Sequence, residues 1–169
     1  NGTGKSTLLG ILAGVFYPNK GKVLARSEKL GFVGPIPLIF SASLRENIMY
    51  GNNNSKSDEE ILEMIHTFKL FEDKVKVNLD VKVNNKSLSS GQMQKIAFMR
   101  VLLSDADVLF LDESTSNLDE ETKDLIFKLL LNNNLTIINS THDIDSFEKY
   151  SNHYKIELSG GKRILKKIV

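Results

Sequence analysis

Gly2-Thr3-Gly4-Lys5-Ser6-Thr7 puts two glycines, a lysine and three hydroxyl side chains into six consecutive positions. Glycine lets neighbouring backbone N–H groups converge on an anion, and a helix that begins at the same point turns its positive end toward it. Lys5 adds a point charge, the Ser6 hydroxyl suits Mg²⁺, and Thr7 reaches a neighbouring phosphate. With Asn1 ahead of them, these residues form a candidate phosphate-binding loop. Loops of this kind serve kinases, motors and GTPases alike, so the loop predicts a nucleotide and no particular reaction. Short Gly-Lys-Ser strings also occur in surface turns. Here Leu8, Leu9, Ile11, Leu12 and Ala13 follow at once and predict a buried helix from Lys5 to Gly14, which favours the phosphate reading. The full loop pattern places its first glycine two positions ahead of Asn1, so the sequence reads as one that starts inside the loop.

Four later stretches narrow the choice. Val108-Leu109-Phe110-Leu111-Asp112-Glu113 resembles a Walker B strand. That resemblance implies Asp112 at a bound Mg²⁺ and Glu113, one residue further on, as the general base that polarises an attacking water. The blander reading is an acidic turn after a core strand. Leu88-Ser89-Ser90-Gly91-Gln92-Met93-Gln94 opens a helical pattern and resembles the signature motif of the ATP-binding cassette ATPases. Ser114-Thr115-Ser116-Asn117-Leu118-Asp119 matches the D-loop of the same family through Ser116, Leu118 and Asp119, and Asp119 is also placed to cap the next helix. Thr141-His142-Asp143 resembles the switch segment, whose histidine contacts the γ-phosphate. His66 and His153 have no such context and read as ordinary surface or structural residues.

With these motifs in the family's order, the chain is identified as a member of the ATP-binding cassette (ABC) transporter ATPases. The resemblance implies a P-loop α/β fold with a mostly parallel core sheet and a helical subdomain carrying the signature at about 41–104, within a single domain over 1–169. It implies ATP and Mg²⁺ as cofactors, with Ser6 and Asp112 at the metal. It further implies a head-to-tail dimer, in which Ser89, Ser90, Gly91 and Gln92 close over ATP held by a second ATPase domain. Phe40-Ser41-Ala42-Ser43-Leu44-Arg45-Glu46-Asn47-Ile48 resembles the exporter segment that meets the coupling helices of a membrane domain, fused upstream or separate. A membrane-associated protein with its ATPase on the cytoplasmic side is expected. Pro35 stands where the family's Q-loop has a glutamine, Ser90 replaces the first signature glycine, and 81–87 is shorter than the exporter pattern. Those departures keep a second reading open, a nucleotide-gated module with weak hydrolysis. A soluble ABC ATPase is the third; repair-type members are excluded by the short spacing between Lys5 and Ser89, and Leu44–Ile48 speaks against a translation factor.

Composition sets the outer limits. A chain of 169 residues with 41% hydrophobic content can build one domain with a real core. Its net charge of +1 exerts no strong pull on nucleic acid, and no nucleic-acid partner is expected. Without cysteine, disulfides and thiolate metal sites are excluded. No apolar stretch is long enough to span a bilayer. The elements that must position the motifs alternate: strands at 22–25, 30–33, 108–111 and 135–139, a capped helix from Ser57 bearing Ile61, Leu62, Ile65 and Phe68, helices at 90–104 and after Asp119, a short helix at 143–150, and a terminal hairpin about Ser159-Gly160-Gly161-Lys162.

Overall fold

The strand signals at 30–33, 108–111 and 135–139 converge in one parallel sheet in the computed structural model, which describes residues 2–72, 76–133, 135–141 and 152–168. In chain order the elements are α1 (Lys5–Leu12), β1 (Leu30–Val33), β2 (Ala42–Ser43), α2 (Leu44–Met49), α3 (Asp58–Thr67), β3 (Lys82–Val83), α4 (Ser90–Leu102), β4 (Val108–Asp112), α5 (Glu120–Asn132), β5 (Thr136–Ser140), β6 (Tyr154–Ser159) and β7 (Lys162–Lys167). The sheet order is β1-β4-β5, with Val33 in register with Leu111 and Asp112 in register with Ser140. Strand β4 lies in the middle, and its continuous apolar run is what a strand covered on both faces requires: Leu109, Phe110 and Leu111 are all buried. Because all three strands run the same way, Val33, Asp112 and Ser140 end along one edge of the sheet.

A single hydrophobic cluster joins Val33, Leu109 and Leu111 of the sheet to Leu44 and Ile48 of α2, Ile61 and Ile65 of α3, Ile96, Phe98 and Met99 of α4, and Ile126 and Leu130 of α5. Four helices begin with a side-chain cap. Ser43, Ser57 and Ser89 each accept the N–H three residues on, while Glu46, Glu60 and Gln92 return the bond to the cap residue, giving three complete capping boxes. Asp119 accepts from Thr122 at the start of α5. At the C-terminus β6 and β7 pair antiparallel, with Ser159 opposite Lys162. Gly160 and Gly161 have φ of 56° and 74°, the left-handed pair that a two-residue hairpin turn demands.

Three expectations are corrected. Residues 22–25 form no strand, because no described neighbour pairs with them, and Leu24 is exposed. Helix α1 packs on β4 and β5 with one side only, so Leu9 and Gly10 are buried while Leu8, Ile11 and Leu12 are half-buried. Leu62 faces outward from α3 while Ile61 and Ile65 face in. The helix expected at 143–150 lies outside the described residues. Among the described residues no helix is long and apolar enough to cross a membrane.

Candidate active site

The one helix among α1 to α5 that starts without a side-chain cap is α1. Its N-cap is Gly4, at φ 92°, a left-handed conformation that turns the loop into the helix, and Gly2 has φ 84°. The first-turn N–H groups are therefore not engaged by a capping side chain, which suits an anion at the positive end of the helix. Lys5 is half-buried, and Ser6 and Thr7 are exposed. Arg163 of β7 donates to the Gly2 carbonyl at 3.2 Å, bringing a cation beside the loop that no sequence pattern announced. Packing of α1 on β4 and β5 brings this loop's helix against the strand that carries Asp112.

At the end of β4, Asp112 is buried and its Oδ1 has no hydrogen-bond partner among the described residues. Glu113 follows in a left-handed conformation, φ 47°, which a residue with a Cβ adopts at a cost, and its N–H donates to the Ser140 carbonyl at 2.9 Å. Strain of this kind is held where surrounding structure fixes it. A buried carboxylate oxygen and the Ser6 hydroxyl are hard donors of the sort Mg²⁺ takes. The described residues hold no cluster of three His, Cys, Asp or Glu.

A separate cleft of about 520 Å³ opens at the start of α4, lined by Lys69 to Glu72, by Ser89, Gly91, Gln92 and Lys95, and by Asn117 to Asp119. The signature and D-loop stretches thus share one wall-to-wall space. Gly91 permits a close approach there, since a Cβ on it would stand 3.3 Å from the Asn117 carbonyl, which would have to give by a few tenths of an ångström, whereas Ser90 is exposed. A family model described as ABC transporter matches residues 1–116.

The chain belongs to the ABC transporter family.

Its relatives agree. The lactococcin-A transport/processing ATP-binding protein LcnC of Lactococcus lactis is 35% identical over 180 residues, 97% of this chain and 25% of LcnC. The glutathione/L-cysteine transport system ATP-binding/permease protein CydC of Haemophilus influenzae is 32% identical over 88% of this chain and 29% of CydC. A putative ABC transporter ATP-binding protein of Archaeoglobus fulgidus is 31% identical over 98% of this chain and 78% of that protein. The chain therefore spans about a quarter of the length of the lactococcal transporter and most of the archaeal ATP-binding protein. It is an ATP-binding domain of the ABC transporter family, whose domains of this type are ATPases.

Within this ABC domain the cleft residues are tied to one another and to their surroundings by hydrogen bonds. The amide of Gln92 accepts the Ser89 N–H at 2.9 Å and donates to the Leu70 carbonyl at 3.0 Å, so it builds the cleft. Lys95 donates to the Lys69 carbonyl at 3.2 Å, a cleft residue that the motif reading passed over. Ser116 is exposed, Leu118 is buried under the D-loop, and Asp119 caps α5. Thr122 donates to Asp119 through its backbone N–H, and this bond, foremost, holds the Asp119 carboxyl below its ordinary 3.8. Farther along α4, buried Gln94 donates to the Gly34 carbonyl at 3.2 Å, next to Pro35, and Arg100 donates to the carbonyls of Leu38, at 2.7 Å, and Asn47. His142 and Asn1 lie outside the described residues.

Proposed function

We propose that this ABC domain hydrolyses ATP to power export through a membrane domain. The loop Asn1 to Thr7 and the N-terminus of α1 hold the triphosphate, with Lys5 as its point charge. The family's Mg²⁺ neutralises charge between the phosphates when bound, and Ser6 and Asp112 are the residues that would hold it. Glu113, outside the end of β4, accepts a proton from the attacking water. His142 serves the γ-phosphate. Ser89, Ser90 and Gly91 present a hydroxyl and the N–H groups of a helix start to ATP on a second ATPase domain, in a head-to-tail dimer, with Gln92 shaping the cleft and Ser116, Leu118 and Asp119 along the seam. Residues 41–104 act as the helical subdomain, Phe40 to Ile48 meets the membrane domain, and the ATPase lies on the cytoplasmic side.

The observation that carries this reading is the pairing of a side-chain-free helix start on α1 with a buried, unpartnered carboxylate oxygen at the end of the strand it packs against. Export as the direction rests on the names of relatives that are transport proteins and on the Phe40–Ile48 stretch. The test is ATP turnover by the full-length protein in proteoliposomes, wild type against Glu113→Gln. Turnover should fall by about 10²-fold or more while ATP affinity is retained; unchanged turnover removes Glu113 as the base.

A further inference from the structure

Asp112 and Ser140 are the last register pair of the β4–β5 ladder. Residues in register on parallel strands carry their side chains on the same face, so carboxylate and hydroxyl stand side by side. Both residues are buried, at 3% and 5% exposure, and neither Asp112 Oδ1 nor Ser140 Oγ has a hydrogen-bond partner among the described residues. A buried polar atom left unpaired destabilises the fold, and native structures leave few of them. Two at adjacent positions, on the edge of a parallel sheet where ligands bind, mark a shared ligand.

The chemistry of the pair selects the ligand. An anion would meet the Asp112 carboxylate as a like charge, so a phosphate oxygen is disfavoured here; a hard cation with its water shell accepts both oxygens. On the other flank of β4 the chain leaves β1 as Gly34-Pro35, which offers no side-chain oxygen. On the β5 flank the Ser140 backbone is already fixed, since its carbonyl accepts the Glu113 N–H, and that leaves the hydroxyl as its free polar group.

We propose that the Ser140 hydroxyl joins Asp112 in holding the hydrated Mg²⁺ that accompanies ATP. Ser140 is then a positioning residue that works through the cation's water, and the inference rests on the reading of Asp112 as the Mg²⁺ residue. Full-length protein carrying Ser140→Ala, Ser140→Thr or Asp112→Asn is titrated with Mg²⁺ at fixed ATP, and ATP affinity is measured separately in EDTA. Ser140→Ala should raise the half-saturating Mg²⁺ about tenfold, at the lower end of what loss of an outer-sphere partner costs, without changing affinity in EDTA. Ser140→Thr, which keeps the hydroxyl, should restore the Mg²⁺ response. An unchanged Mg²⁺ requirement in Ser140→Ala, with Asp112→Asn raising it, overturns the role of Ser140 alone. Equal losses with and without Mg²⁺ make Ser140 structural and overturn it too. If Asp112→Asn leaves the Mg²⁺ requirement unchanged, the reading of Asp112 falls and this inference falls with it.

Discussion

The backbone carbonyl of Asn117 lies 3.3 Å from the point where a Cβ on Gly91 would stand, so the signature helix and the D-loop touch backbone to backbone within one chain. Alanine at 91 forces that carbonyl to give by a few tenths of an ångström. Alanine also improves the helix by up to about 1 kcal/mol over glycine. Gly91→Ala should therefore unfold no earlier than wild type in urea yet lose on the order of tenfold in ATP turnover, since displacements near 1 Å cost about 10²-fold. Ser90→Gly, at an exposed position, should keep turnover within about twofold. Equal losses in the two variants would assign the effect to the signature backbone at large and not to its contact with Asn117.

Glu113 stands at φ 47°, a conformation that costs a residue with a Cβ about 1–2 kcal/mol. Comparing Glu113→Gly with Glu113→Ala removes the carboxylate in both and relieves the backbone in only one. The glycine variant should be more stable than the alanine variant by about 0.5–1 kcal/mol in urea denaturation, after the greater freedom of unfolded glycine is set against the relief. Both should hydrolyse ATP at least about 10²-fold more slowly than wild type. A glycine variant less stable than the alanine variant would show that position 113 is not strained.

The order of elements was legible in the sequence wherever a local signal coincided with its tertiary role. The continuous apolar run at 108–111 became the central strand, Ser57 and Glu60 made the expected box, and Gly160-Gly161 closed the expected hairpin. Residues 22–25 misled because a short apolar run after a turn makes a strand only when a neighbour supplies the ladder. The candidate site residues were read as residue types in a fixed order. What no spacing could reveal was contact across the chain: Arg163 on the Gly2 carbonyl, Lys95 on the Lys69 carbonyl, and Ser140 beside Asp112. The capping box at Ser43 was there to be read, as Ser-x-x-Glu ahead of Asn47 and Ile48.

Asp119 combines a cap with a place in the cleft, and two substitutions separate them. Thr122 donates to Oδ1 from its backbone at 2.8 Å and to Oδ2 from its hydroxyl at 3.0 Å. Asparagine caps nearly as well as aspartate, so Asp119→Asn should stay within about 0.5 kcal/mol of wild type, while Asp119→Ala loses about 1 kcal/mol. The folded-state carboxyl titrates below its ordinary 3.8, chiefly because of the Thr122 backbone bond. A depressed carboxyl stabilises fully above that value and loses its contribution as pH falls through the folded one. The wild-type advantage over Asp119→Ala should accordingly be constant near neutrality and shrink below about pH 4. If Asp119→Asn keeps stability but slows turnover, the charge acts in the cleft, where the proposed dimer would close; unchanged turnover leaves it a cap.

Arg100 ties the signature helix to the stretch that meets the membrane domain in the proposed reading. Its guanidinium donates to the carbonyls of Leu38 and Asn47 and lies 5.6 Å from the centre of the Tyr50 ring. Asn47 is buried and in turn accepts the Phe40 N–H at 2.9 Å and donates to the carbonyls of Phe40 and Ser43, each at 3.1 Å. Burial lowers Arg100 to about 10, so it stays charged through the neutral range and adds no pH dependence to stability there. Arg100→Met leaves two carbonyls without their donor and should cost about 2–4 kcal/mol in urea denaturation. Lysine cannot span both carbonyls with one ammonium, so Arg100→Lys should recover less than half of the loss. Asn47→Ala combined with Arg100→Met should fall short of the sum of the single losses by about 1 kcal/mol or more, the mark of one network. Simple additivity would mean that α4 and the 38–50 segment are held together by packing of Ile48, Ile96 and Met99 and not through Arg100.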